Sequence, residues 1–261
     1  MKSKLKNSEM KQIKYGKKEK RGEGINFFNV DNIEFMKETP NKFYDLAIVD
    51  PPYGFGNLSM LKKMHDDRRK TKKLSYYNNI RPSDIYFKEL FRISKNQIIF
   101  GGNYFTYYLP ISKGWIWWRK LSTSKFSDGE LAWTSFNKVA KEFTYKSQGN
   151  YVGYENNIKL QKTSFDGCKI HPTQKPTELY RWILLNYAKK GDKIIDTHGG
   201  SMTIAKACDM EGFDLDICEI DKTYFKNGIE AYRIYKSNLK LFCKNQSGLA
   251  FFFWSNCTAL N

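Results

Sequence analysis

Asp50-Pro51-Pro52-Tyr53 places a carboxylate, a rigid carbonyl and an aromatic face side by side. Such a set can accept both hydrogens of an exocyclic amino group and stack on the ring that carries it. The prolines supply no backbone N–H, so they stop a strand and leave nearby carbonyls without ladder partners. The preceding run, Asp45-Leu46-Ala47-Ile48-Val49, reads as a buried parallel strand. The tetrapeptide therefore falls at a strand's carboxyl end, where open α/β sheets bind their ligands. A strand closed by a Pro-Pro turn with a solvated aspartate is the plain alternative.

A second constellation is Lys193-Ile194-Ile195-Asp196-Thr197-His198-Gly199-Gly200-Ser201. An apolar strand ends in an acid, then two glycines, then a helix. Glycine lets backbone approach a ligand closely, and a helix N-terminus presents free N–H groups. This is the layout of a nucleotide or adenosyl site. It is not a phosphate-binding Gly-x-Gly-x-x-Gly, and no Gly-Lys-Ser/Thr follows, so a nucleoside triphosphate is not the expected ligand. Residues 214–219 form the next strand, whose terminal Glu219 is placed to accept ribose hydroxyls. An ordinary turn into a helix is the alternative for the glycines. Asp216, inside that strand, reads as solvent-facing. A third segment, His171-Pro172-Thr173-Gln174-Lys175-Pro176, reads by itself only as a rigid polar turn.

Alternating elements must position these groups. Strands are expected over residues 25–30, 43–49, 97–100, 115–118, 131–134, 193–196 and 214–219. Helices are expected over 32–37 after Asp31, over 83–93 with Ser83 as cap, and over 176–188, 201–210 and 223–235. Residues 138–170 read as irregular and polar. The alternation predicts an α/β fold with a mostly parallel sheet covered by helices on both faces. A basic flexible arm (1–24), a catalytic domain (25–235) and a C-terminal extension (236–261) divide the chain. Within the domain, residues 54–79 form a long basic loop carrying Lys62, Lys63, Arg68, Arg69, Lys70, Lys72 and Lys73, then Tyr76 and Tyr77.

The formal charge of +17 points to a polyanionic partner, most simply nucleic acid. Aromatic residues make up 16% of the chain, and unstacked bases bind aromatic faces. Cys168, Cys208, Cys218, Cys243 and Cys257 are odd in number and lack Cys-x-x-Cys spacing, which argues against a disulfide framework or a zinc site. Neither a membrane-length apolar run nor a signal-peptide core is expected, so a cytoplasmic protein with no membrane partner is the reading.

Taken in order, Asp-Pro-Pro-Tyr, His-Pro-Thr-Gln-Lys-Pro and the strand–glycine–helix turn resemble the β class of amino-group (N6-adenine or N4-cytosine) DNA methyltransferases. The resemblance spans residues 25–235 and includes Gln97-Ile98-Ile99-Phe100-Gly101-Gly102-Asn103 and Phe126-Ser127-Asp128-Gly129-Glu130-Leu131-Ala132-Trp133. It implies a Rossmann-like methyltransferase fold in circularly permuted order, S-adenosylmethionine as cofactor and double-stranded DNA as partner, with a restriction endonuclease as counterpart. It implies that Asp50 and the Pro51 carbonyl hold the target amine, with Pro52 shaping the turn and Tyr53 stacking on a flipped base. Asp196, Gly199, Gly200 and Ser201 then border the cofactor's methionine side, with Thr173 and Lys175 nearby. Glu219 takes the ribose, and Asp31 lies by the adenine. The family turn usually reads Asp-Pro-Phe-x-Gly-Ser-Gly; Thr197, His198 and Met202 depart from it here. Residues 138–170 are short for a target-recognition domain, so Arg68, Arg69, Lys70, Lys72 and Lys73 of the basic loop are expected to share DNA contact.

In the resembled family, Asp at the first motif position goes mostly with adenine and Ser mostly with cytosine, so adenine N6 is the expected target and cytosine N4 the alternative. An RNA or protein-amide methyltransferase would usually place the glycine turn first. A decayed DNA-binding relative would not need an intact Asp50 and Tyr53. A metal nuclease would need Asp214, Asp216, Glu219 and Asp221 to converge, but alternate strand residues face opposite ways.

Overall fold

The computed structural model describes residues 24–54, 80–121, 127–148, 151–160 and 173–245. The basic arm up to residue 23, the loop bearing Arg68, Arg69, Lys70, Lys72 and Lys73, His171-Pro172 and residues 246–261 lie outside the described residues.

The elements run β1 (Ile25–Phe28), α1 (Asn32–Lys37), β2 (Tyr44–Val49), α2 (Asp84–Ile93), β3 (Ser94–Phe100), β4 (Trp115–Arg119), β5 (Gly129–Thr134) and β6 (Lys141–Thr144). There follow β7 (Lys146–Gln148), β8 (Tyr151–Tyr154), β9 (Asn157–Leu160), α3 (Thr177–Tyr187), β10 (Lys193–Asp196), α4 (Thr203–Glu211), β11 (Asp214–Cys218) and α5 (Lys222–Asn245). An eight-stranded sheet has the order β1-β11-β10-β2-β3-β5-β4-β6, and β7-β8-β9 form a separate antiparallel sheet. The first five strands of the large sheet are mutually parallel. Both of its faces are covered. Leu46 and Ile48 of β2 pack into a core with α3, α4 and α5, whereas Ala47 and Val49 pack into a second core with α1 and α2. This is the Rossmann-like methyltransferase fold. The order is permuted, because β10, late in the chain, sits beside β2.

Four sequence expectations need correction. Residues 141–148 and 151–160 are not irregular but form β6 to β9. Phe143, Tyr145 and Ser147 alternate inward between exposed or half-buried neighbours, so period-two burial makes strands of a stretch whose polar composition resembled a loop. Asp216 is not solvent-facing but fully buried. β11 lies between β1 and β10 under helices, and the register sets Asn26 beside Asp216. Asp216 accepts from Asn26 Nδ2 at 2.9 Å and from the Tyr44 hydroxyl at 2.6 Å. Ser83 does occupy the N-cap of α2, but its side chain makes no capping bond. Helix α4 begins at Thr203 rather than residue 201, because Gly200 and Met202 both have positive φ (49° and 54°). Elsewhere the shift is only in length: β3 starts at Ser94 directly from α2, and α5 continues to Asn245.

The carboxyl ends of β1, β2, β10 and β11 all open on one edge of the sheet. The chain crosses from β10 to β11 in one direction and from β2 to β3 in the other. A crevice therefore opens between β10 and β2, at the switch point where such sheets bind ligands.

Candidate functional site

At that crevice lies a cavity of about 640 Å³. Its wall includes Asp31, Asp50, Thr173, Lys175, Gly200 and Glu219, drawn from five separate stretches of chain. The volume is of the size that holds a drug-sized ligand.

Asp50 follows β2 directly. Its Oδ1 accepts from the Tyr53 hydroxyl at 2.7 Å, and its Oδ2 pairs with Lys175 Nζ. Pro51 is buried and Pro52 lines the cavity. The Tyr53 ring stacks on Tyr104, with centroids 5.0 Å apart and planes 28° apart, and meets the edge of Phe105. Gly101, at the end of β3 with φ 66°, passes so close that a Cβ there would stand 2.2 Å from Tyr53 Cε1. Tyr53 is thus held in a slot made by the β3 terminus.

The glycine turn after β10 is built mainly by β11. Gly199 N–H donates to Cys218 O at 2.8 Å, and Gly200 N–H donates to Glu219 Oε2 at 2.8 Å. Glu219 Oε1 accepts from Asp221 N–H at 2.8 Å. Each Glu219 oxygen keeps lone-pair capacity for a hydroxyl donor, since a carboxylate offers about four acceptor positions. Burial raises the Glu219 pKa above the usual carboxylate range, against the pull of its amide bonds. A Cβ on Gly199 would stand 2.5 Å from Ile217 Cγ2. The need for glycine there arises from strand packing as well as from any ligand. Gly199→Ala should therefore cost about 1–3 kcal/mol of stability. A scan should show the melting temperature fall by several degrees, on the order of 2–4 °C per kcal/mol; an unchanged melting curve would show that Ile217 yields freely.

Asp196 is 2% exposed and sits behind the cavity wall rather than on it. Burial pushes its pKa up to about 7, opposed by the His198 amide bond and aided by the charges of Asp50 and Glu219. That amide donates to Asp196 Oδ1 at 2.9 Å, which shapes the turn. His198 does face the cavity. Asn32 Nδ2 donates to its Nε2 at 3.0 Å, so the ring proton lies on Nδ1, beside Thr197 Oγ1 at 3.0 Å and the Tyr86 hydroxyl at 3.4 Å. Burial lowers the His198 pKa to about 3, so the ring is a neutral polar wall. Asp31 caps α1, accepting from Ile33 N–H at 2.8 Å and Glu34 N–H at 3.2 Å, and also borders the cavity. Ser201 lines it too, with its hydroxyl 2.8 Å from Thr203 Oγ1.

The structure thus gathers Asp50, Pro52, Asp31, Thr173, Lys175, Gly199, Gly200, Ser201 and Glu219 around one cavity. Arg68, Arg69, Lys70, Lys72 and Lys73 lie outside the described residues. Sequence reading did not single out Glu130, Tyr104, Gly101, Asn32 or Tyr86 as site residues. For Gly101 a signal existed, a Gly-Gly pair ending an apolar strand. For Glu130 the signal was its place in the family-like segment 126–133, but its partner Lys175 is far away in sequence and nothing there pointed to it. The carboxylates imagined for a nuclease are engaged separately. Asp214 accepts from Gly24 N–H at 2.6 Å, and Asp221 accepts from Thr223 N–H at 2.7 Å at the start of α5. Among the described residues, no helix is long and apolar enough to cross a membrane.

A permuted Rossmann-like sheet with Asp-Pro-Pro-Tyr at one strand end and a glycine turn at its neighbour defines a methyltransferase that acts on amino groups. The chain belongs to the amino-group (N6-adenine or N4-cytosine) DNA methyltransferase family: the family model described as DNA methylase matches residues 63–233. The type II methyltransferase M.HpaI of Haemophilus parainfluenzae is 26% identical over 220 residues, covering 71% of this chain and 68% of that protein. The cytosine-N4-specific PvuII DNA methyltransferase shares the fold at a TM-score of 0.50 and 14% identity, covering 83% of this chain and 93% of that one. The M1.HpyAVI–SAM complex superposes with a TM-score of 0.49 at 19% identity, covering 79% of this chain and 98% of that one.

Proposed function

We propose that this chain transfers a methyl group from S-adenosylmethionine to the N6 amine of an adenine flipped out of duplex DNA. The observation that carries the reading is Asp50, held by Tyr53 and Lys175 on the wall of a cavity that Glu219 and the glycine turn also line. When bound, the cofactor supplies a methyl group already activated on a sulfonium. Glu219 and the turn at Gly199, Gly200 and Ser201 are the residues to hold it, with Asp31 and Thr173 at its margins.

The chain's own residues supply position and hydrogen-bond acceptors. An exocyclic ring amine is a poor nucleophile, because its lone pair is delocalised into the ring. Accepting its hydrogens at Asp50 and at the Pro51 carbonyl favours a tetrahedral nitrogen with a usable lone pair. Direct transfer then needs mainly alignment, with no covalent enzyme intermediate. A duplex hides the amine, so the base must leave the stack at a cost of a few kcal/mol. Stacking of the flipped base on Tyr53 would return roughly 1–3 kcal/mol of that, as for single-stranded bases on aromatic side chains. Arg68, Arg69, Lys70, Lys72 and Lys73 follow the catalytic strand end in sequence, which supports a role for them on phosphates beside the flipped base.

Adenine is preferred over cytosine on the aspartate of the tetrapeptide. The test is nucleoside mass spectrometry of DNA from a host that makes neither mark, with and without this chain. N6-methyladenine should appear. N4-methylcytosine in its place would move the target to cytosine, and neither mark would overturn the enzymatic reading in favour of a decayed DNA-binding relative.

A further inference from the structure

We propose that Lys175 and Glu130 are positioning residues that act through Asp50. They form part of a row of alternating charge, Lys120–Glu130–Lys175–Asp50, that fixes the carboxylate receiving the target amine. This rests on the methyltransferase reading above. The row draws on four places in the fold: the end of β2, the end of β4, strand β5, and the turn before α3. β3 lies between β2 and β5 in the sheet, and Lys175 Nζ bridges over its last residue, 4.5 Å above the Phe100 ring. Lys175 pairs with Asp50 Oδ2 and, at 3.3 Å, with Glu130 Oε2; Glu130 Oε1 pairs with Lys120.

The Lys175 side chain is 2% exposed. A cation buried to that degree is tolerable only with matched counter-charge. The row supplies it, since two lysines and two carboxylates sum to zero. Glu130 Oε2 is buried without a hydrogen bond, so its compensation is the charge of Lys175. Burial alone would lower the Lys175 pKa, but Asp50 and Glu130 more than offset it and hold the lysine charged. Burial alone would raise the Glu130 pKa, and Lys175 and Lys120 reverse that.

The consequence for chemistry is directional. Lys175 ties up Asp50 Oδ2 and leaves Oδ1 facing the Tyr53 hydroxyl. Oδ1 is therefore the atom that exchanges the tyrosine hydroxyl for a hydrogen of the target amine. Glu130 shares the charge of Lys175, so Asp50 is oriented by the lysine without surrendering all of its acceptor strength to it. Tyr86, Tyr180 and Asp196 also feel the charge of Asp50.

The variant that isolates this role is Glu130→Gln, because Glu130 is not on the cavity wall. Methyl incorporation into DNA from a methylation-free host, at saturating cofactor, should fall by on the order of 10- to 100-fold, the scale of a misplaced catalytic group. Cofactor affinity by calorimetry should stay within about two-fold, a change worth under half a kcal/mol. Lys175→Arg should recover part of the rate lost in Lys175→Met. A Glu130→Gln rate matching wild type would overturn the inference. If Glu130→Gln loses its melting transition, the decision passes to the Lys175 pair, and equal rates for Arg and Met would overturn it. Wild-type chain that incorporates no methyl group would overturn the methyltransferase reading itself, and this inference with it.

Discussion

Asp50→Ala should lower the single-turnover rate of methyl transfer by about 10²–10³-fold or more, the range for removing one preorganised hydrogen-bond partner from a transition state. Cofactor affinity should hardly change, and DNA affinity should stay close to wild type. The reason lies in when the interaction matters. Accepting a hydrogen from the amine counts most as the nitrogen turns tetrahedral, so its loss appears in kcat rather than in binding. The geometry also says why the protein should survive the change. Lys175 would lose one counter-ion but keep Glu130 at 3.3 Å, so its charge is not stranded. Asp50→Asn is the sharper variant. It preserves size, yet it replaces one acceptor by an amide donor beside both the Lys175 ammonium and the incoming amine, and should be as inactive as alanine. Rapid-quench incorporation with calorimetric titration of the cofactor decides it. Turnover within a few-fold of wild type in either variant would remove Asp50 from the chemistry.

The position of Asp50 at a strand end on the cavity was legible because short-range rules fix it. An apolar run makes a buried strand, two prolines end it, and the carboxyl edge of a parallel sheet is where ligands bind. The glycine turn and Glu219 were legible for the same reason, since the strand and its following turn are contiguous. The pairing of Lys175 with Asp50 was not. The two residues are brought together by the order β10-β2-β3-β5, and nothing in the Pro-flanked turn around Lys175 says which carboxylate it will meet. Asp216 failed in the other direction: it looks polar and therefore exposed, but its position in an interior strand buries it between Asn26 and Tyr44. The strands after residue 140 were hidden because buried Phe143, Tyr145, Ser147 and Val152 are diluted by Lys141, Glu142 and Lys146 on the other side.

Gly101→Ala should disable the stacking face without touching a group that contacts the cofactor. The added Cβ would stand 2.2 Å from Tyr53 Cε1, 2.6 Å from Cδ1 and 2.7 Å from Cζ, far inside van der Waals contact. One of the two must move. The backbone of Gly101 is anchored, because its N–H donates to Leu131 O at 2.8 Å and its carbonyl accepts from Tyr104 N–H at 2.8 Å. A displaced ring would shift against Tyr104 and strain its hydroxyl bond to Asp50 Oδ1. Loss of base stacking should reduce kcat/KM by about 10- to 100-fold, corresponding to 1–3 kcal/mol. A further 1–2 kcal/mol of stability should go to the left-handed backbone, which alanine tolerates poorly at φ 66°. These two effects separate in a double-mutant cycle with Tyr53→Ala. In that background the catalytic cost of Gly101→Ala should nearly vanish, because the ring it displaces is already gone, while the backbone strain should still lower the melting temperature. Residues in contact are expected to couple in this way, and distant ones are not. Catalytic losses that simply multiply in the double variant would mean that Gly101 acts on the site by some route other than Tyr53. The tyrosine would then be free of the slot that the end of β3 is argued to form.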